Sequence, residues 1–183
     1  MAVDIAESKT VKSALGAGFG AGQQTIAFIE ALLLAVWLGS MIFFSFALAP
    51  TAFAVLPSRE LAGAVVTSSI GKVEMLGLII GPLLLIIQLT AWRARNATAQ
   101  TRALRVILLL MMMAAAAASR FWVSAKLVSL RRAMGGMIDD VPVTDPLRIE
   151  FNAMHGYSVG LMGICMIAGF AVLFLTVRSW LKR

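Results

Sequence analysis

The sequence predicts an all-α fold: a polytopic membrane protein whose four transmembrane helices form one bundle, with helical extensions on the outer side. Three observations predict it. Apolar runs at about 25–48, 75–92, 106–126 and 157–177 each have roughly the 17–25 residues a helix needs to cross a ~30 Å hydrocarbon layer. Nearly every ionisable residue between Thr25 and Trp180 falls in a gap between those runs. Hydrophobic residues make up 60% and charged ones 14%, against about 25% charged in a soluble domain. Lipid cannot hydrogen-bond a bare backbone, so spans of this composition must be helical.

Residues 1–24 read as a flexible cytoplasmic arm, and 25–183 as a single four-helix transmembrane domain. The arm does not resemble a cleavable signal, since Asp4 and Glu7 occupy the region that should be basic. Its Gly16–Gly22 stretch is rich in glycine, but no strand precedes it and no βαβ unit surrounds it, which argues against a phosphate loop. After the first span, Ser58 is placed to cap a helix with Glu60 in its first turn. That helix continues through Leu61, Val65 and Ile70 into the second span, where Pro82 should kink it. The third helix should overshoot the membrane and stop at Gly135-Gly136. Asp145-Pro146 should cap and start the fourth, which runs through Phe151 and His155.

Basic residues set the expected orientation. Arg93, Arg95, Arg102 and Arg105 crowd the link between the second and third spans. With Lys9, Lys12, Arg178, Lys182 and Arg183 they make nine on one side, against six (Arg59, Lys72, Lys126, Arg131, Arg132, Arg148) on the other. The positive-inside rule puts both termini in the cytoplasm, most simply of a bacterial inner membrane. Trp92 and Trp180 fall at the expected cytoplasmic interface and Trp122 near the opposite one. Asn96-Ala97-Thr98 matches a glycosylation acceptor but falls on the cytoplasmic side. The net charge of +7 flanks helix ends and forms no face of a polar domain, so nucleic acid is not an expected partner.

Small residues mark close approaches. Gly77 and Gly81 in the second span and Gly156 and Gly160 in the fourth are GxxxG pairs, and Ala114–Ala118 smooths the third. They suit packing within the bundle, and also self-association or contact with other membrane subunits. Buried polar groups are the functional pointers, because a charge in lipid is costly without a partner. Arg120 lies fifteen residues beyond Arg105, ~22 Å along a helix, close to the depth of Glu74 and just below His155. Arg120, Glu74 and His155 are therefore the candidate outward polar site, with a snorkelling Arg120 as the alternative. Glu30 and Gln88 share a depth near the other end and form a candidate inner pair.

His155 is the sole histidine, so neither a bis-histidine haem nor a multi-histidine zinc site can be built from one copy. A haem held by His155 and a methionine stays open, but no cofactor and no metal are expected. Met111–Met113 read as packing residues and Cys165 stands alone. Catalytic triads, Walker loops and HExxH are absent.

Several short stretches then carry a family resemblance. They are Trp37-Leu-Gly39, Phe44 through Ala49-Pro50 with Phe53, Leu56-Pro57, Ala62-Gly63, Arg120, and Phe151-x-x-x-His155-Gly-x-Ser158. Across roughly 25–180 the chain resembles the transmembrane protein 205-like family, a group defined by a domain of unknown function (4149). The resemblance implies a four-helix membrane bundle and little about activity. More distantly the chain is similar to copper-resistance membrane domains and small haem-binding protoporphyrinogen oxidases, which use more histidines than this chain has. The sequence leads to a non-enzymatic subunit or accessory factor of a membrane assembly. Its alternatives are a small transporter, export or metal-tolerance factor using the Arg/Glu/His site, and a haem or metal redox protein.

Overall fold

A computed structural model describes residues 2–90, 98–135 and 138–181, and all the regular structure among them is helical. α1 runs Ala2–Phe43, passes through a π-helical turn at Phe44–Leu48 and continues as α2, Ala49–Val55. Leu56 breaks the helix in an extended conformation (φ −76, ψ 142), as the residue before a proline prefers. α3 (Arg59–Thr90) then returns through Pro82 without interruption. α4 (Ala99–Ala118) passes through a second π-helical turn, Ser119–Val123, into α5, Ser124–Ala133. A 3-10 turn at Ile138–Asp140 leads to α6, Pro146–Leu181.

Four continuous helical stretches are long and apolar enough to cross a membrane: Gly22–Val55, Arg59–Thr90, Ala99–Ala133 and Pro146–Ser179, with mean hydropathy from 2.0 to 2.4. The chain is thus a four-helix membrane protein, and its helices extend past the apolar runs toward the loops. α3 packs between α1 and α4, and α6 closes the ring between α4 and α1. We call the two ends of the bundle the terminal end, from which α1 enters it and toward which α6 runs out, and the loop end.

The caps follow the sequence. Ser58 Oγ accepts from Leu61 N–H at 3.2 Å and Asp145 Oδ1 from Leu147 N–H at 2.8 Å. Gly135 ends α5 with φ +75, a left-handed conformation that favours glycine. Thr98 caps α4, accepting from Thr101 N–H. Two expectations change. Residues 2–24, expected as a flexible arm, are helical and continuous with the first span, because no proline or capping signal interrupts propagation from it. Arg102 and Arg105, expected in a loop, lie in the first two turns of α4, and Arg105 is fully buried. The indole contact expected of Trp92, the second glycine of the 135–136 break and Asn96-Ala97 lie outside the described residues.

The burial pattern is that of a protein solvated by lipid. Phe28, Phe43, Phe46, Ile79, Ile107, Ile167 and Phe174 face outward, while Glu30, Glu74, Gln88 and Arg105 are buried. Backbone and charge must be satisfied inside, and apolar side chains cost nothing against acyl chains. The core centres on Trp37, Leu34, Leu84, Leu109, Met112 and Val172. Gly77 sits against the Trp37 ring, Gly81 against Met113, and Gly169 against Leu38. The GxxxG pair of the second span is therefore intramolecular packing. Gly156 and Gly160 face open space instead.

Candidate functional site

Two buried polar layers and one cleft hold the chemistry. Near the terminal end, Gln88 Nε2 donates to Glu30 Oε1, and Thr176 Oγ1 joins the same oxygen at 3.4 Å. Arg105 donates to the carbonyl of Leu175, next to Thr176 on α6. This layer unites the inner pair Glu30 and Gln88 and adds Thr176 and Arg105. Thr176 carried no signal in the sequence, because threonine is unremarkable in an apolar helix.

Toward the loop end, the Glu74 carboxylate accepts from Ser119 Oγ at 2.5 Å, and from Ser124 Oγ at 2.9 and 3.2 Å. The π-helical turn makes this possible. Residues five apart on an α-helix point about 140° apart. Here Ser124 N–H donates to Ser119 carbonyl, and this wider turn stacks the two hydroxyls on one side. Such turns recur at functional positions.

The outward triad does not assemble as the sequence suggested. Glu74 is held by serines, and no ion pair or hydrogen bond joins it to the half-exposed Arg120 among the described residues. His155 is exposed and lines a separate space. The π-helical turn at Ser119–Val123 turns Ser119 and Ser124, and not Arg120, toward Glu74.

That space is a cleft of about 1150 Å³ at the loop end, lined by the first π-helical turn, α2, α3, α5 and α6. It matches or exceeds the ~300–1,000 Å³ usual for ligand pockets. α2 packs on α3 and α5 on α6, and the cleft opens between those pairs. Its walls are mostly apolar, including Phe44, Phe46, Phe53, Met162 and Met166. Its rim carries Arg59, Arg131, Arg132 and Arg148, and no carboxylate lines it among the described residues. Arg148 also donates to the carbonyl of Val141, which ties the loop to α6. Ser124 contributes to the wall while bound to Glu74.

Many of the residues that carry the family resemblance meet here, among them Pro50, Phe53, Gly63, Phe151, His155 and Ser158, which all line the cleft. Trp37 is instead a core residue, and Gly39 faces outward with nothing near it. The sequence missed the arginine rim because its members flank two links far apart in the chain. No three His, Cys, Asp or Glu side chains converge as a metal site among the described residues. Trp122 stacks on Tyr157 at 6.4 Å between centroids, which pins the third and fourth spans together at the loop end.

A lipid-embedded four-helix bundle with a cationic, mostly apolar cleft is the class this geometry defines. The family described as Domain of unknown function (DUF4149) matches residues 32–135, over half of the chain, and the chain belongs to it. The match spans the first π-helical turn, α2 to α5 and the Gly63 and Arg131 walls of the cleft, but not α6. No curated protein and no solved structure matches the chain.

Proposed function

We propose that the chain is a non-enzymatic accessory factor or subunit of a bacterial inner-membrane assembly, and that it works by holding an acidic amphiphile in the loop-end cleft. The observation that carries this is the pairing of a large apolar volume with the guanidinium groups of Arg131 and Arg132, in a lining that holds no carboxylate among the described residues. Such a cleft attracts a ligand that is greasy at one end and anionic at the other.

No activated nucleophile lines the cleft among the described residues, which supports a binding role. His155 and Ser158 sit one turn apart on the same wall, yet no hydrogen bond joins them among the described residues. Ser124 is committed to Glu74. No bound metal or haem is part of the reading. The exposed Gly156 and Gly160 give α6 a smooth face away from its core contacts, which supports association with another membrane subunit or a second copy.

Both termini are assigned to the cytoplasm. The basic census supports that more strongly once the cleft is recognised, because four of the six basic residues at the loop end have a local task there. The test is purification in mild detergent with quantitative extraction of bound amphiphile and an absorption spectrum of the same fraction. Gly163 lines the cleft and a Cβ there meets nothing within 4 Å, so Gly163→Phe should project into the cleft and fill it. Wild type is expected to retain about one acidic amphiphile per chain and Gly163→Phe much less, with no Soret band. Equal retention by both proteins, or none by wild type, refutes the reading.

A further inference from the structure

We infer that the occupant of the cleft is an anionic phospholipid, its phosphate held by Arg131 with Arg132 beside it and its acyl chains lying along Phe46, Met162 and Met166. This rests on the cleft reading above and specifies its ligand.

The guanidinium of Arg131 is built into place. Gly63 is buried beneath it, and a Cβ at that position would lie 2.4 Å from Nη2 and 2.9 Å from Nη1. Any side chain at 63 would displace the group. On the other side Arg131 lies over the Phe151 ring, 6.0 Å from its centroid, within cation–π range. Its charge has no carboxylate partner among the described residues, whereas the neighbouring Lys126 is paired to Glu150 at 2.9 Å. A half-buried cation seated between Gly63 and the Phe151 ring and left without a counter-charge among the described residues is prepared for an external anion.

Phosphate fits the rim better than carboxylate. All the fixed cations lining the cleft are arginines and none is lysine. The planar fork of arginine suits the several oxygens of a phosphate and keeps its charge at any physiological pH. The shape fits a lipid rather than a free anion. Past the Arg148, Phe151 and Asn152 part of the α6 wall, His155 to Met166 is a rise of eleven residues, ~16 Å at 1.5 Å per residue, about half of a ~30 Å hydrocarbon core and thus one leaflet. Phe46 is 74% exposed at the wall, so the cleft is open toward the acyl chains. Its volume of about 1150 Å³ exceeds the ~300–1,000 Å³ typical of small-molecule pockets, which favours a two-chain lipid.

Native mass spectrometry of the whole chain, released from mild detergent and titrated with phosphatidylglycerol or phosphatidylcholine, tests this. Phosphatidylglycerol should bind at least fivefold more tightly. Each of Arg131→Gln and Arg132→Gln should weaken it by about fivefold, the equivalent of ~1 kcal/mol per basic side chain at 1.4 kcal/mol per decade. Arg178→Gln, at the opposite end, should bind as wild type does. Millimolar inorganic phosphate alone should neither bind nor displace the lipid. Equal affinity for the two lipids overturns the inference and leaves the cleft reading standing. Displacement by phosphate makes this a free-anion site and also overturns it. Binding of neither lipid sinks both readings. Should Arg131→Gln fail to fold, the exposed Arg132→Gln decides.

Discussion

Adding one methyl group at residue 77 should test the packing of the bundle sharply. A Cβ on Gly77 would lie 2.7 Å from Trp37 Nε1 and 2.8 Å from Cε2 and Cζ2. Ordinary carbon contacts begin near 3.5 Å, so the ring must retreat by roughly 0.8 Å. Trp37 is 1% exposed and packed in the core cluster with Leu34, Met41 and Leu84, and the one cavity it lines among the described residues holds only about 20 Å³, so the ring has little room to retreat. Overpacking of this kind costs about 1–3 kcal/mol. Gly39→Ala is the internal control, since its Cβ meets nothing within 4 Å. There the higher helix propensity of alanine, at most ~1 kcal/mol, acts alone. The two variants should differ by about 2 kcal/mol, or about 4–8 °C in thermal midpoint for a chain of this size. Thermal unfolding in mild detergent, followed by near-ultraviolet circular dichroism, reads the difference. Equal midpoints, or a lower one for Gly39→Ala, would refute the claim that α1 and α3 touch through Gly77.

Ser119→Ala with Ser124→Ala should destabilise by about 2–4 kcal/mol, because it leaves the buried Glu74 carboxylate without donors. Adding Glu74→Leu should recover part of the loss, and no recovery in the same detergent melt would count against the assignment. Gln88→Leu should cost about 1–3 kcal/mol by stripping Glu30 of its amide donor, again read as a lower midpoint. Lys126→Ala should change stability by less than ~1 kcal/mol, since its pair with Glu150 is largely exposed. Reporter tags fused to either end should both face the cytoplasm, and opposite placement would remove the topology argued from the basic residues.

The two π-helical turns organise the loop end. One at Phe44–Leu48 forms part of the wall of the cleft, and the other at Ser119–Val123 aligns two serines on Glu74. Each inserts a residue's worth of extra turn into a long apolar helix. Their placement where α1 passes into α2 and α4 into α5 lets the terminal half pack tightly while the loop half opens. A tight core and an open mouth therefore coexist on the same four helices.

The spans, the caps at Ser58 and Asp145 and the depth shared by Glu30 and Gln88 were legible because they depend on local chemistry and on distance along one chain. Lipid demands helical spans of a given length, and a capping oxygen acts within three residues. The role of Gly77 was legible only as a small residue in a GxxxG pair; its contact with Trp37 needed the neighbouring helix. Which way a side chain points around the helix was hidden wherever the winding departs from 3.6 residues per turn, so Arg120 and Glu74 share a depth without meeting. The arginine rim was hidden for a different reason: Arg59 belongs to one link and Arg131 and Arg148 to another, and they converge only when α3, α5 and α6 are placed. Composition and spacing determined that this chain lives in a bilayer as four helices. Only the packing of those helices decided that their loop end encloses a cationic cleft, because a cavity is made by the side chains of several helices together.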